Sequence, residues 1–163
     1  METLHTLTDD LAQTLKDRNE TIAVAESSTG GLISAALLAV PGASAYYLGG
    51  GVIYTIEARR ELLNIPDEIL KGMKPLSEEY VSLCARRMRE NMNATWGIAE
   101  LGATGPAGTR YGHPPGICVL AIDGPVTLTT RIETSSDDRE QNMWTFARTG
   151  FELLRKALQQ AKV

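Results

Sequence analysis

Apolar positions recur along the chain with two periods, and the switches between them lay out the elements. Leu4, Leu7, Leu11 and Leu15 fall three or four apart, with Asp9, Asp10, Lys16 and Asp17 mostly elsewhere. That stripe predicts an amphipathic helix over 4–18, with His5 near its exposed end. A buried strand is predicted at 21–25 and a turn of small hydroxyls and glycines at 26–31. Leu32, Ile33, Ala36, Leu37 and Val40 then return to helical spacing, and Pro41-Gly42 stops that helix. The run G-V-I-Y-T at 51–55 reads as a second strand. A short helix over 57–63 closes at Asn64-Ile65-Pro66, and 66–72 adds a helical turn.

Ser77, followed by Glu78 and Glu79, suits the start of a stronger helix whose inner face is Val81, Cys84, Ala85, Met88 and Met92. A third strand is predicted at 95–101, then a glycine-rich loop over 102–116, long enough to suggest a functional role or mobility. Strands at 117–123 and 126–134, turned by Asp123-Gly124-Pro125, form an antiparallel hairpin. The last helix starts with Asp137 as cap and Glu140 three residues on, and buries Met143, Phe146, Gly150, Leu153, Leu154 and Ala157. This order of helices and strands predicts an α/β fold, a three-layer α/β/α sandwich with a mixed sheet, in one domain over 1–163.

Composition narrows the classes. A hydrophobic share of 43% and a charged share of 22% exclude disordered and collagen-like chains. The net charge of −4 argues against a general nucleic-acid coat, and Arg86, Arg87 and Arg89 lie beside acids on a solvated helix face. No apolar run is long enough to span a membrane, and the start lacks the pattern of a signal peptide, so a soluble cytoplasmic protein is expected. Cys84 and Cys118 sit in apolar patterns and are expected as buried free thiols. Two cysteines and two histidines without ligand spacing give no zinc site, so no metal or organic cofactor is expected.

Candidate chemistry gathers around 25–59. Strand, small-residue turn and helix form the arrangement that aims backbone N–H groups at an anion, which makes Ser27, Ser28, Thr29 and Gly30 candidate binding residues. Ser44 and Tyr54 follow among small residues. The site is expected where the loops after Ala25, Val40 and Leu101 converge. Plainer readings stand beside these: Ser44 as a short-helix cap, Tyr54 as a half-buried strand tyrosine, and Arg59 as an exposed helix residue. Arg139 also suits a mere offset of Asp137 and Asp138, and His113 a loop position.

The ordered pieces A-E-S-S-T-G-G, P-G-A-S-A, V-I-Y-T-I-E-A-R, T-G-P-A-G, H-P-P-G and D-D-R resemble the C-terminal domain of the CinA family, from about residue 8 to 158. That family includes stand-alone nicotinamide mononucleotide deamidases. The resemblance implies an α/β/α homodimer that hydrolyses a pyridine carboxamide to the acid and ammonia. It places the nucleophile at Ser44 and the base, a lysine in the family, at Arg59. It carries Tyr54, Ser27, Thr29, Thr104 and Arg139 over as substrate or phosphate contacts. Three departures stand out: Arg59 for lysine, Leu101 for a small hydroxyl residue, and Gly49 for arginine. Ser28 for cysteine is milder. An arginine holds its proton and cannot serve as the base. Two expectations follow: an amidohydrolase of impaired activity, with Ser44 attacking and Tyr54 or another group replacing the lost lysine in catalysis, or a non-catalytic member that keeps the nucleotide pocket or acts as a dimeric scaffold.

Overall fold

The computed structural model describes residues 2–161. A 3-10 turn at His5–Leu7 precedes α1 (Asp9–Arg18), so the expected first helix is broken at Thr8. There the backbone leaves the helical range and the hydroxyl donates to the Ala36 carbonyl at 2.8 Å, tying this corner to the next helix. β1 (Ile22–Glu26) is buried along its length, and α2 (Leu32–Leu38) runs back along one face. A second 3-10 turn, Ala43–Ala45, leads into β2 (Tyr47–Val52).

That strand begins four residues before the expected 51–55, and Tyr54 lies beyond its end. Its glycine triplet hides it from strand propensity. A Cβ at Gly50 would stand 2.4 Å from the Val24 carbonyl oxygen, so the close parallel approach to β1 needs glycine. The register runs from Ile22 opposite Tyr47 to Glu26 opposite Val52.

The chain continues through α3 (Ile56–Leu63), α4 (Asp67–Leu70) and α5 (Glu78–Met92) to β3 (Trp96–Ala103). β4 (Ile117–Asp123) and β5 (Leu128–Glu133) form the expected antiparallel hairpin, and α6 (Arg139–Gln160) closes the domain. Ser77 caps α5 as expected, accepting from the Tyr80 amide at 3.2 Å. The cap of α6 is Asp138 rather than Asp137, accepting from the Gln141 amide at 3.0 Å.

The sheet order is β2-β1-β3-β4-β5, parallel across the first three strands and antiparallel across the rest. This is the mixed sheet the sequence pattern predicts. Ile22, Val24, Trp96, Ile98, Leu120 and Ile122 face α1, α2 and α6, where Leu11, Leu37, Phe146 and Phe151 meet them. Each large side chain buried there contributes roughly 1.5–3 kcal/mol relative to exposure. Ala23, Ala25, Ala99, Val119 and Ala121 face α3 and α5, where Leu63, Val81, Cys84 and Met88 lie. Small strand residues on that side let α5 approach closely. Met92 is 36% exposed at the end of α5, where it lies over Gly49 instead of entering the core. Met143 is half-buried over Gly30. Cys84 and Cys118 are buried free thiols. No described helix is long and apolar enough to cross a membrane.

Candidate functional site

The turn after β1 does take the strand–turn–helix form, but its acceptors are the protein's own carboxyl groups. Gly31 enters α2 in a left-handed conformation, φ 107°, and directs the first amides of the helix back at Glu26. Glu26 Oε1 accepts from the Gly31 and Ile33 amides at 2.8 and 3.1 Å. Its Oε2 accepts from the Ser34 amide and hydroxyl at 2.9 and 2.7 Å. A second carboxylate, Glu100 of β3, takes the turn itself. Glu100 Oε2 accepts from the Ser27 and Thr29 amides, both at 3.0 Å, and the Ser28 hydroxyl donates to Oε1. Both glutamates are fully buried.

These bonds turn the Ser28 and Thr29 hydroxyls inward, and the amide of the exposed Gly30 donates to the Ser27 carbonyl at 3.1 Å. The N–H groups expected for an anion are already satisfied internally, and Ser28 and Thr29 are buried beneath the turn. Only Ser27 reaches the neighbouring cavity. Burial raises the Glu100 carboxyl, against the hydrogen bonds from Ser28, Thr29 and Ser27, which pull the other way. Burial, then the nearby Glu100, also holds the Cys118 thiol well above its usual range.

The cavity lies on the α3–α5 side of the sheet and measures about 720 Å³. Thr55 caps α3, its hydroxyl accepting from the Ala58 amide at 3.1 Å, and so sets the helix that carries Arg59. The Arg59 guanidinium lies over the Tyr80 ring, 5.1 Å from its centroid, and its buried Nε has no hydrogen-bond partner. Burial pushes Tyr80 up to about 12 despite the adjacent Arg59, which leaves a neutral phenol at ordinary pH. Leu70, Met73, Leu76 and Leu101 supply an apolar wall. Tyr54, 59% exposed, stands at the rim.

The glycine-rich loop closes the far side. Thr109 and His113 tie its tip together: the Thr109 amide donates to the His113 carbonyl at 2.9 Å, and the hydroxyl and imidazole meet at 3.1 Å. Between them Arg110 and Tyr111 reach the cavity, with the guanidinium 5.3 Å from the ring centroid. Two guanidiniums, one carboxylate (Glu57) and three tyrosines therefore share this lining. That is a setting for an anionic, planar ligand.

Other expected site residues lie elsewhere. Arg139 donates to the Gly105 carbonyl at 2.5 Å and so braces the base of the loop. Thr104 is buried, with its carbonyl accepting from Asn142. Neither lines the cavity. Ser44 is exposed on the turn before β2, at the opposite end of the sheet. Parallel pairing requires this, because α2 must return the chain to the start of β1: the Ile22 amide donates to the Tyr46 carbonyl at 2.8 Å. A five-residue strand, roughly 16 Å, separates that end from Ser27. The expected convergence thus holds for the loops after Ala25 and Leu101 and fails, within one chain, for the loop after Val40.

Glu100, Tyr80, Arg110 and Tyr111 were not singled out from sequence as site residues. Glu100 had a legible signal: it shares a strand face with Trp96 and Ile98, where a charge is out of place unless paired. The others carry no local signature.

The CinA C-terminal domain model matches residues 4–158. A CinA-like protein of Desulforapulum autotrophicum is 36% identical over 154 residues, covering 94% of this chain and 36% of that protein. One from Cytophaga hutchinsonii is 35% identical over 158 residues, covering 96% and 38%. The chain therefore spans little more than a third of these curated relatives. Among solved structures, the competence damage-inducible protein A (ComA) of Klebsiella pneumoniae is 30% identical with a TM-score of 0.91, covering 99% of this chain and 100% of that one. A competence/damage inducible protein of Agrobacterium tumefaciens is 27% identical with a TM-score of 0.88, covering 98% and 100%. Sequence and fold agree, and the chain belongs to the CinA C-terminal domain family.

Proposed function

We propose that this protein is an amidohydrolase-like member of its family that binds a pyridine mononucleotide, such as nicotinamide mononucleotide, in the Arg59 cavity, with hydrolysis of the amide impaired. One observation carries the reading: a fixed cation stands at the cavity where the resemblance calls for a proton acceptor. A serine hydroxyl needs a base to become a nucleophile, and a guanidinium only donates. The neighbouring Tyr80 phenol is held too high to replace it near neutral pH. Aromatic rings and guanidiniums suit the pyridine and phosphate of the ligand. The two buried free thiols suit a reducing, cytoplasmic setting.

The test pairs calorimetric titration of nicotinamide mononucleotide, and of its dephosphorylated riboside, with an ammonia-release assay. Binding of the mononucleotide with little release is expected. Release as fast as that of a lysine-bearing relative, or no binding of either compound, overturns the reading.

One observation favours a second reading, an active homodimer. β2 is an edge strand with Leu48 and Val52 exposed, and Tyr54 just beyond. Antiparallel pairing of two such edges about Gly49–Gly50 sets Ser44 of one copy beside Thr55 of the other, next to Tyr54. Light scattering together with Ser44→Ala distinguishes it: a monomer, or a dimer whose slow release is unchanged by the substitution, removes this alternative.

A further inference from the structure

We propose that Arg59 makes the cavity selective for the acid over the amide, so that its preferred occupant is an aromatic carboxylate, the chemical form that amide hydrolysis releases. This rests on the binding reading above and adds the substrate class to it.

The geometry of the guanidinium carries the argument. Its central carbon lies 5.1 Å from the centroid of the Tyr80 ring, so the group is seated against an aromatic part of the cavity wall. The Nε hydrogen is buried and has no acceptor among the described residues. No ion pair to Arg59 is present among those residues either, whereas its neighbour Arg60 meets both Glu61 and Asp67. Glu57, the single carboxylate of the lining, does not serve: its own amide and the Thr55 hydroxyl draw its carboxyl down, and Arg60 and Arg110 are the cations beside it. A cation that lines the cavity and has no ion pair among the described residues calls for an acceptor supplied from outside.

A carboxylate and a carboxamide differ in what they offer a guanidinium. Every guanidinium N–H is a donor, and a carboxylate presents two acceptor oxygens that it can meet in parallel. A carboxamide presents one oxygen and an NH2 group, whose hydrogens would face other hydrogens. A lysine ammonium, compact and rotatable, lacks this fork and discriminates less. The three tyrosines of the lining provide ring faces for the planar body of the ligand.

The experiment titrates the full chain with nicotinate mononucleotide and nicotinamide mononucleotide under one buffer. The acid is expected to bind about 10- to 100-fold tighter, the range of one charge-assisted hydrogen-bond pair. Arg59→Gln is expected to bring the ratio near one, with the acid losing more affinity than the amide. Arg59→Lys should retain an intermediate preference. Thermal melts of each variant establish that it is folded.

Equal affinities in the wild type, or a preference that survives Arg59→Gln, overturn the proposal while leaving nucleotide binding in place. If neither nucleotide binds, the binding reading falls, and benzoate against benzamide at millimolar concentration, followed by NMR, decides the subsite alone. Benzoate-specific shifts that vanish in Arg59→Gln support it, and identical responses to the two probes refute it.

Discussion

Glu100 offers the most decisive test of how the site turn is held. Its Oε2 takes two backbone amides at 3.0 Å, and its Oε1 faces the hydroxyl of Ser28 and, at 3.8 Å, the thiol of Cys118. Thr29 Oγ1 lies 2.7 Å from Glu26 Oε1 and 2.9 Å from Glu100 Oε2, yet a hydroxyl has one proton to donate. Two ionised carboxylates cannot both be served by it. A proton on Glu100 leaves a single negative charge between the two groups, in keeping with the upward shift that burial imposes on its carboxyl.

The magnitudes separate two substitutions. Glu100→Ala strands two buried N–H groups, each costing roughly 1–3 kcal/mol, and opens a cavity beneath the turn. A loss of about 3–5 kcal/mol is expected, a large part of the stability of an ordinary domain. Glu100→Gln keeps a carbonyl for the two amides and gives Ser28 an N–H, so it should stay within about 1 kcal/mol of wild type at mildly acidic pH. The pH dependence then parts them. The folded protein keeps a proton that the unfolded chain releases in the ordinary carboxylate range. The stability attached to it is complete below that range and is lost as pH rises toward the raised folded value. The slope there is at most about 1.4 kcal/mol per pH unit. Urea unfolding from pH 4 to pH 9 should show wild type losing ground to Glu100→Gln over that window. Parallel profiles for the two, or an alanine variant within about 1 kcal/mol of wild type, refute the account.

Three further outcomes are expected. Arg59→Lys combined with Leu101→Ser should raise ammonia release from nicotinamide mononucleotide at least about tenfold, since general-base catalysis is worth roughly 100- to 10,000-fold. Loss of that gain on adding Ser44→Ala supports a serine supplied across β2, and loss on adding Ser27→Ala points to the serine in the cavity. Gly97→Ala should lower the urea-derived stability by about 1–3 kcal/mol or more, because its Cβ would stand 2.3 Å from the Ala85 carbonyl oxygen in a strand paired on both sides. Arg139→Ala removes the bond to Gly105 and should speed proteolysis within 105–116, with little change in the global unfolding midpoint.

What could be read from the chain divides along a physical line. The layers were legible because burial repeats with the period of each element: Leu11 and Leu15 on α1, Ile98 on β3, and Phe146, Leu154 and Ala157 on α6 all fall inside as patterned. β2 was misplaced because its glycines serve a close approach to β1, a tertiary requirement that no propensity records. The site was harder for the same reason. A-E-S-S-T-G-G has the local form of an anion-binding turn, and local form cannot say which anion comes. Here the acceptors are internal: one is the adjacent Glu26, and the other, the carboxyl of Glu100, arrives from a strand more than seventy residues later. With the amides of the turn taken up from within, what remains for a ligand is the pair of guanidiniums, Arg59 and Arg110, that line the cavity. A single position thus both removes the expected base and supplies the one buried donor without a partner among the described side chains. On the proposed function, binding and hydrolysis are separable at residue 59, and that is why the lysine variant is expected to gain turnover while giving up part of the preference for the acid.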